Sequence, residues 1–145
     1  MPLPPLEQNG LLPPGVHDAT MDEVEATFGR GSTRWGLMAK LREFVTELQQ
    51  WRLTDELLID GSFVTGEPNP HDIDLLLVFP IDYDEGRDVS PYEYNLRSHR
   101  MVKKRFGFDL FAVKPNTPRC LKLIDLFSQV KNRPGEIKGI VRLRP

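Results

Sequence analysis

The chain has 145 residues, 39% hydrophobic and 28% charged, which suits one ordinary globular domain with one real core. A net charge of −2 excludes a global pull toward nucleic acid and leaves only local patches to provide one. Cys120 stands alone, so no intrachain disulfide can form; with no leader-like start and no membrane-length apolar run, a cytoplasmic protein with no membrane partner is expected.

Residues 1–19 read as an extended arm, with Pro2, Pro4, Pro5, Pro13 and Pro14 and the turn residues Gly10 and Gly15. Leu3, Leu6, Leu11 and Leu12 are expected to pin it to a single domain over 20–145. Thr20 with Glu23 forms a capping box that opens a short helix to Phe28, closed by Gly29 and Gly31. Ser32 is expected to cap a longer helix to Trp51. Trp35, Met38, Leu41, Phe44, Val45, Leu48 and Trp51 recur three or four apart and read as its core stripe, the two tryptophans packing rather than stacking on a ligand.

A strand over Leu57–Asp60 follows, then Gly61-Ser62, a loop rich in Gly, Pro and Asn, and a strand from Asp72 to Phe79. Residues 81–90 are acidic and turn-like but lack the ligand spacing of an EF-hand. Ser90-Pro91-Tyr92-Glu93 starts a helix to about Lys104. Its basic end, Arg97, His99, Arg100, Lys103, Lys104 and Arg105, either offsets the helix dipole or brings at least one of Lys103, Lys104 and Arg105 to a phosphate. Nucleic-acid binding along a surface is disfavoured, because no interleaved aromatic platform accompanies the charges.

A strand over Phe106–Val113 carries Asp109, an acid in a run too apolar to leave it unpartnered. Its partner is a metal, or in the simpler case Arg105 or Lys114. A helix over Arg119–Lys131 with Leu121, Ile124, Leu126 and Phe127 inward, and a strand over Gly139–Leu143, complete the chain. Cys120 reads as one more buried apolar residue. Lys138, Arg142 and Arg144 are either surface charges or an acceptor-holding group. The expected fold is α+β: a small mixed sheet from strands near 57, 72, 107 and 139, flanked by helices from 32, 91 and 119.

The chemistry concentrates in Asp72-Ile73-Asp74. Residues two apart on a strand share a face, so both carboxylates project together. Like charges so placed raise each other's pKa unless a cation lies between them, and Mg²⁺ suits oxygen ligands shared with substrate phosphates. Gly61 permits close backbone approach to a phosphate, and Ser62 with the amides after it offers donors.

Gly61-Ser62, nine residues, then Asp72-Ile73-Asp74 and an aliphatic run resemble the signature of the polymerase-beta-type nucleotidyltransferase superfamily. In size the chain is similar to its minimal bacterial members, some of them encoded in toxin–antitoxin pairs. Leu12-Pro13-Pro14-Gly15-Val16-His17 and Gly61 to Thr65 together resemble an uncharacterised bacterial nucleotidyltransferase-like group.

The resemblance implies the nucleotidyltransferase fold and transfer of a nucleoside monophosphate from a nucleoside triphosphate, ATP or another, to a hydroxyl of a protein, RNA or small molecule. It implies that Asp72, Asp74 and Asp109 are catalytic and hold Mg²⁺, in a two-ion site. Gly61, Ser62 and Thr65, with Lys103 and Lys104, would hold the nucleotide.

Minimal members often carry arginines just after Gly-Ser, where this chain has Phe63-Val64-Thr65. A second reading therefore stands beside the first: a nucleotidyltransferase-fold binding protein, antitoxin-like, that acts by contact with a protein partner. A haloacid-type phosphatase fits poorly, since its Asp-x-Asp follows a strand and position 76 is Leu rather than Thr.

Overall fold

The structure is a computed structural model that describes residues 3–84, 86, 88–130 and 133–145. Met1 and Pro2 of the expected arm, Glu85 of the acidic turn and Lys131 at the expected end of the last helix lie outside the described residues.

Five strands form one mixed sheet: β1 (Gly15–Asp18), β2 (Glu56–Asp60), β3 (Asp74–Val78), β4 (Asp109–Val113) and β5 (Gly139–Leu143), in the order β1-β5-β2-β3-β4. The pairs β1–β5 and β3–β4 are parallel, and β2 runs antiparallel to both β3 and β5. The helices are α1 (Met21–Phe28), α2 (Ser32–Trp51), α3 (Pro91–Arg97), α4 (His99–Phe106) and α5 (Pro118–Phe127). The fold is α+β, as its alternation of elements suggests.

Two-residue alternation along each strand divides the core between the sheet's faces. On one face Leu57, Ile59, Leu75, Leu77, Leu110, Val141 and Leu143 pack with residues of α1 to α4, among them Phe28, Leu41, Phe44, Leu48, Leu96 and Val102. On the other, Leu58, Leu76, Val78, Val113 and Ile140 meet Cys120 and Phe127 of α5. Asp60, Asp74 and Asp109 have the parity of Leu58, Leu76 and Val113. They therefore lie on the face that α5 covers.

The structure corrects several element assignments. The segment 1–19 is not solely an arm: Gly15–Asp18 joins the sheet beside β5, and Asp18, in register with Arg142, accepts hydrogen bonds of 2.6 and 2.9 Å from it. Leu11 and Leu12 are buried, and Leu3 and Leu6 pack on the core, as their type leads one to expect. The Thr20 capping box forms, Thr20 Oγ1 accepting from the Glu23 amide at 3.1 Å.

Ser32 does not cap α2. Gly31, at a φ of 100° that favours glycine, stands before the first turn, and no side chain caps it. Trp35 is 71% exposed, and its neighbour Arg34 is buried instead. Arg34 takes the inner position because four backbone carbonyls satisfy its guanidinium: Phe28 at 3.1 Å, Phe63 at 2.6 Å, Thr65 at 2.8 Å and Glu67 at 2.6 Å. Trp51, 40% exposed, stacks on Tyr92 with ring centroids 5.5 Å apart.

The expected helix after Ser90 is two. Ser98 ends α3 in extended backbone, and its side chain accepts from the Met101 amide to start α4. Phe106 closes α4 rather than opening a strand, because Gly107 takes the left-handed cap at φ 82°; β4 begins only at Asp109. In α5 the buried face is Cys120 and Phe127 with Leu123 and Ile124 packed beside them, so Leu121 and Leu126 stand 64% and 57% exposed.

Candidate functional site

At one end of the sheet three strands present an acid in the same row. Asp60 closes β2, Asp74 opens β3 and Asp109 opens β4; Asp60 is in register with Asp74, and Asp74 with Asp109. Asp72 precedes β3 in the loop rather than sitting on the strand, because strand pairing starts only at Asp74. The acids open into a cleft of about 1090 Å³. Its lining includes Gly61, Ser62 and Thr65, the arm at Gln8–Leu11, and Phe111, Phe127, Arg133 and Lys138 from the second half of the chain.

The Gly-Ser turn is tied to the acids rather than open. Ser62 Oγ donates to Asp72 Oδ1 at 2.5 Å, and the Ser62 amide reaches the same oxygen at 3.2 Å. These bonds hold the Asp72 carboxyl below its usual range against the opposing effect of burial, which is the largest single influence on it. The amides that follow are also engaged: Phe63 donates to the Asp72 carbonyl, Val64 to Gly61 and Thr65 to Ser62. The Thr65 hydroxyl donates to the Ser62 carbonyl at 2.6 Å. The expectation of free amide donors beside Ser62 is thus not met; a short 3-10 turn over Ser62–Val64 uses them.

Gly61 has a local reason to be glycine. Its φ is 91°, and a Cβ there would lie 2.8 Å from the Asp72 carbonyl and 3.0 Å from the Asp74 amide. The close approach is to the Asp72–Asp74 segment itself. Gly61→Ala is expected to cost about 2 kcal/mol, read as a lower urea midpoint, since it combines left-handed strain with a clash against backbone.

Burial pushes Asp74 up to about 6, with the charges of Asp72 and Asp109 adding to the rise and Lys138 and Lys103 opposing it. Among the described residues the Asp74 carboxyl has neither hydrogen-bond nor ion-pair partner. Asp109 is paired with Lys103, whose Nζ is 3.2 Å from Oδ1. Neither Arg105 nor Lys114 takes that place: Arg105 bonds Glu43 and Glu47 on α2. Lys104 is exposed and does not line the cleft.

Asp60 belongs here although the sequence reading did not assign it to the site, and Lys138, read as a surface charge or as part of an acceptor-holding group, pairs with it. Asp60 is buried, and burial pushes it up to about 6 although Lys138 and the Gly61 amide pull the other way. Lys138 Nζ lies 3.0 Å from Asp60 Oδ1, an ion pair between two buried side chains. The signal for Asp60 was its place, directly ahead of Gly61-Ser62 at the end of an apolar strand.

Lys138→Met leaves Asp60 buried beside other acids and is expected to destabilise by about 3 kcal/mol at pH 8. A carboxyl raised above its unfolded range favours folding below the unfolded value and loses that contribution as pH rises through the folded one. The loss should therefore shrink toward pH 5, where Asp60 is protonated in the folded chain. Urea titrations of both chains at the two pH values test this.

The donor set suits a hard cation, being all oxygen, with Asp74 unpaired. Among the described residues no group of three or more His, Cys, Asp or Glu side chains is gathered to hold a metal ion. Mg²⁺ commonly needs only one or two carboxylates beside substrate phosphates and water, and Asp72 with Asp74 meets that requirement in kind.

The chain matches the family of unknown function DUF6932 over residues 4–144. It belongs to that family. No curated protein and no solved structure matches it. The match covers the arm, the sheet and the cleft of this DUF6932 member together. Among the described residues no helix is long and apolar enough to cross a membrane.

Proposed function

We propose that this DUF6932 chain is a Mg²⁺-dependent nucleotidyltransferase of the polymerase-beta type, moving a nucleoside monophosphate from a nucleoside triphosphate to an acceptor hydroxyl. The observation that carries the reading is the register of Asp74 with Asp109 on adjacent parallel strands, with Asp72 two residues ahead and tied to Ser62. It supports the Asp-x-Asp resemblance by giving the third acid a place beside the other two.

In this reading Asp72 and Asp74 hold the cation, and Ser62 keeps Asp72 oriented. Asp109 faces the acceptor and takes the proton of its hydroxyl as the oxygen bonds to the α-phosphorus. The bond from that phosphorus to the β-phosphate oxygen breaks, and pyrophosphate leaves. Mg²⁺ held by Asp72 and Asp74 would supply charge neutralisation to the phosphate being transferred. The walls contribute positioning and exclusion of water.

The engaged amides of Phe63, Val64 and Thr65 favour a second reading, a nucleotidyltransferase-fold protein that acts by contact with a protein partner, as an antitoxin does. Incubation with each α-labelled triphosphate, Mg²⁺ and cell extract as acceptor source separates the two. Label transfer that disappears in Asp72→Ala/Asp74→Ala supports the enzyme. Transfer that persists in the double variant, or none with any triphosphate, removes it.

A further inference from the structure

The motif brings acids to the cleft but no cation of its own for a polyphosphate. Phe63-Val64-Thr65 are uncharged, and their amides are engaged within the turn. Lys103 sits on Asp109, Arg105 on Glu43 and Glu47, and Lys104 off the cleft lining. Among the described residues two cations line the cleft, and both come from the segment leading into β5: Arg133 and Lys138.

We infer that Arg133 and Lys138 form a polyphosphate-binding side of this cleft, which takes the β- and γ-phosphates of a nucleoside triphosphate in place of the Gly-Ser turn. The inference rests on the transfer reading above and names where its substrate is held.

Lys138 is the inner contact. Its ammonium has three donors and one ion-pair partner among the described residues, Asp60, so it can hold that carboxylate and a phosphate oxygen together. Lys138 lines the same cleft as Asp72 and Asp74, so a polyphosphate in that cleft can meet its ammonium.

Arg133 is the outer contact. Its Nη1 donates to the Asn9 carbonyl at 3.3 Å, and its Nε stands 3.6 Å from Glu136 Oε2. Both are long, and they leave most of the five guanidinium donors free for a planar, bidentate grip on phosphate. The bond to Asn9 also joins the N-terminal arm to this side of the cleft. A phosphate taken by Arg133 would lie against the arm.

The test is calorimetric titration of the full chain with inorganic tripolyphosphate and Mg²⁺. Lys138→Gln alone would leave Asp60 uncompensated, so the pair is removed together as Asp60→Asn/Lys138→Gln, beside Arg133→Gln on the surface. Urea midpoints confirm that both variants fold. Affinity is expected to fall about tenfold or more in each, and about a hundredfold in the triple variant, as loss of charge-assisted phosphate contacts requires. Wild-type binding matched within twofold by both folded variants overturns the inference and leaves the transfer reading standing. A wild-type chain that binds no tripolyphosphate overturns both.

Discussion

Asp74→Asn is expected to lower nucleotidyl transfer by about 10³-fold while making the unliganded chain more stable at pH 8. The first effect follows from removing a charge that holds the cation at the reacting phosphate, an electrostatic contribution of the kind that dominates such sites. The second follows from the cost of the same charge in the free protein. Asp74 is half-buried, near Asp72 and Asp109, and its carboxyl stands at about 6.

The sign of the pH dependence is fixed by that rise. Below the unfolded carboxyl value of about 4 the group is protonated in both states and costs nothing. As pH climbs through about 6 the folded chain must carry the charge, and stability falls. The stability gain of Asp74→Asn should therefore be absent at pH 4 and full at pH 8. Transfer assays and urea midpoints at the two pH values read both effects. A variant that loses activity and stability together would make Asp74 a structural residue.

Arg34 carries the largest expected effect on folding. It is buried, and its four carbonyl partners come from Phe28 at the end of α1 and from Phe63, Thr65 and Glu67 in the loop between Gly61-Ser62 and the Asp72 segment. Its ring contacts with Phe28 and Phe63, 6.0 and 5.6 Å from the centroids, fill the same space. Arg34→Met leaves buried acceptors with no donor and is expected to cost about 4 kcal/mol.

Arg34→Lys should recover little of this. An ammonium has three donors about one point, and the four carbonyls are arranged for a planar fork. Equilibrium urea unfolding of both variants is the measurement. A lysine variant as stable as the wild type would show that the charge matters and the fork does not.

The parts of this protein legible in its sequence are those set by local chemistry. Thr20 with Glu23 and Ser90 before Pro91 each cap a helix through the side-chain oxygen their type supplies. The apolar runs at Leu57 and Leu75 form adjacent strands, and the acids they carry reach one sheet end. What stayed hidden was set by distant partners. Nothing beside Arg34 in the chain marks four carbonyls that meet only after folding, so the helical stripe was read one position off, onto Trp35.

Val16 and His17 looked like arm because their pairing partner lies more than a hundred residues away in β5. Asp60 was read as the end of a strand, since its role depends on Lys138, which arrives last. The Gly-Ser turn was legible as a special conformation, and its glycine is required by backbone approach to Asp72 rather than by an open phosphate cradle.

The central claim of the proposal is that a divalent cation binds to Asp72 and Asp74 beside Ser62. NMR of the labelled chain with Mn²⁺ in place of Mg²⁺, together with a non-hydrolysable triphosphate, tests it most directly. Line broadening should centre on the amides of Gly61, Ser62, Asp74 and Asp109 and vanish in Asp72→Asn/Asp74→Asn. Broadening centred instead on the acidic turn at Asp82, Asp84 and Asp88, or unchanged in the double variant, would contradict the account.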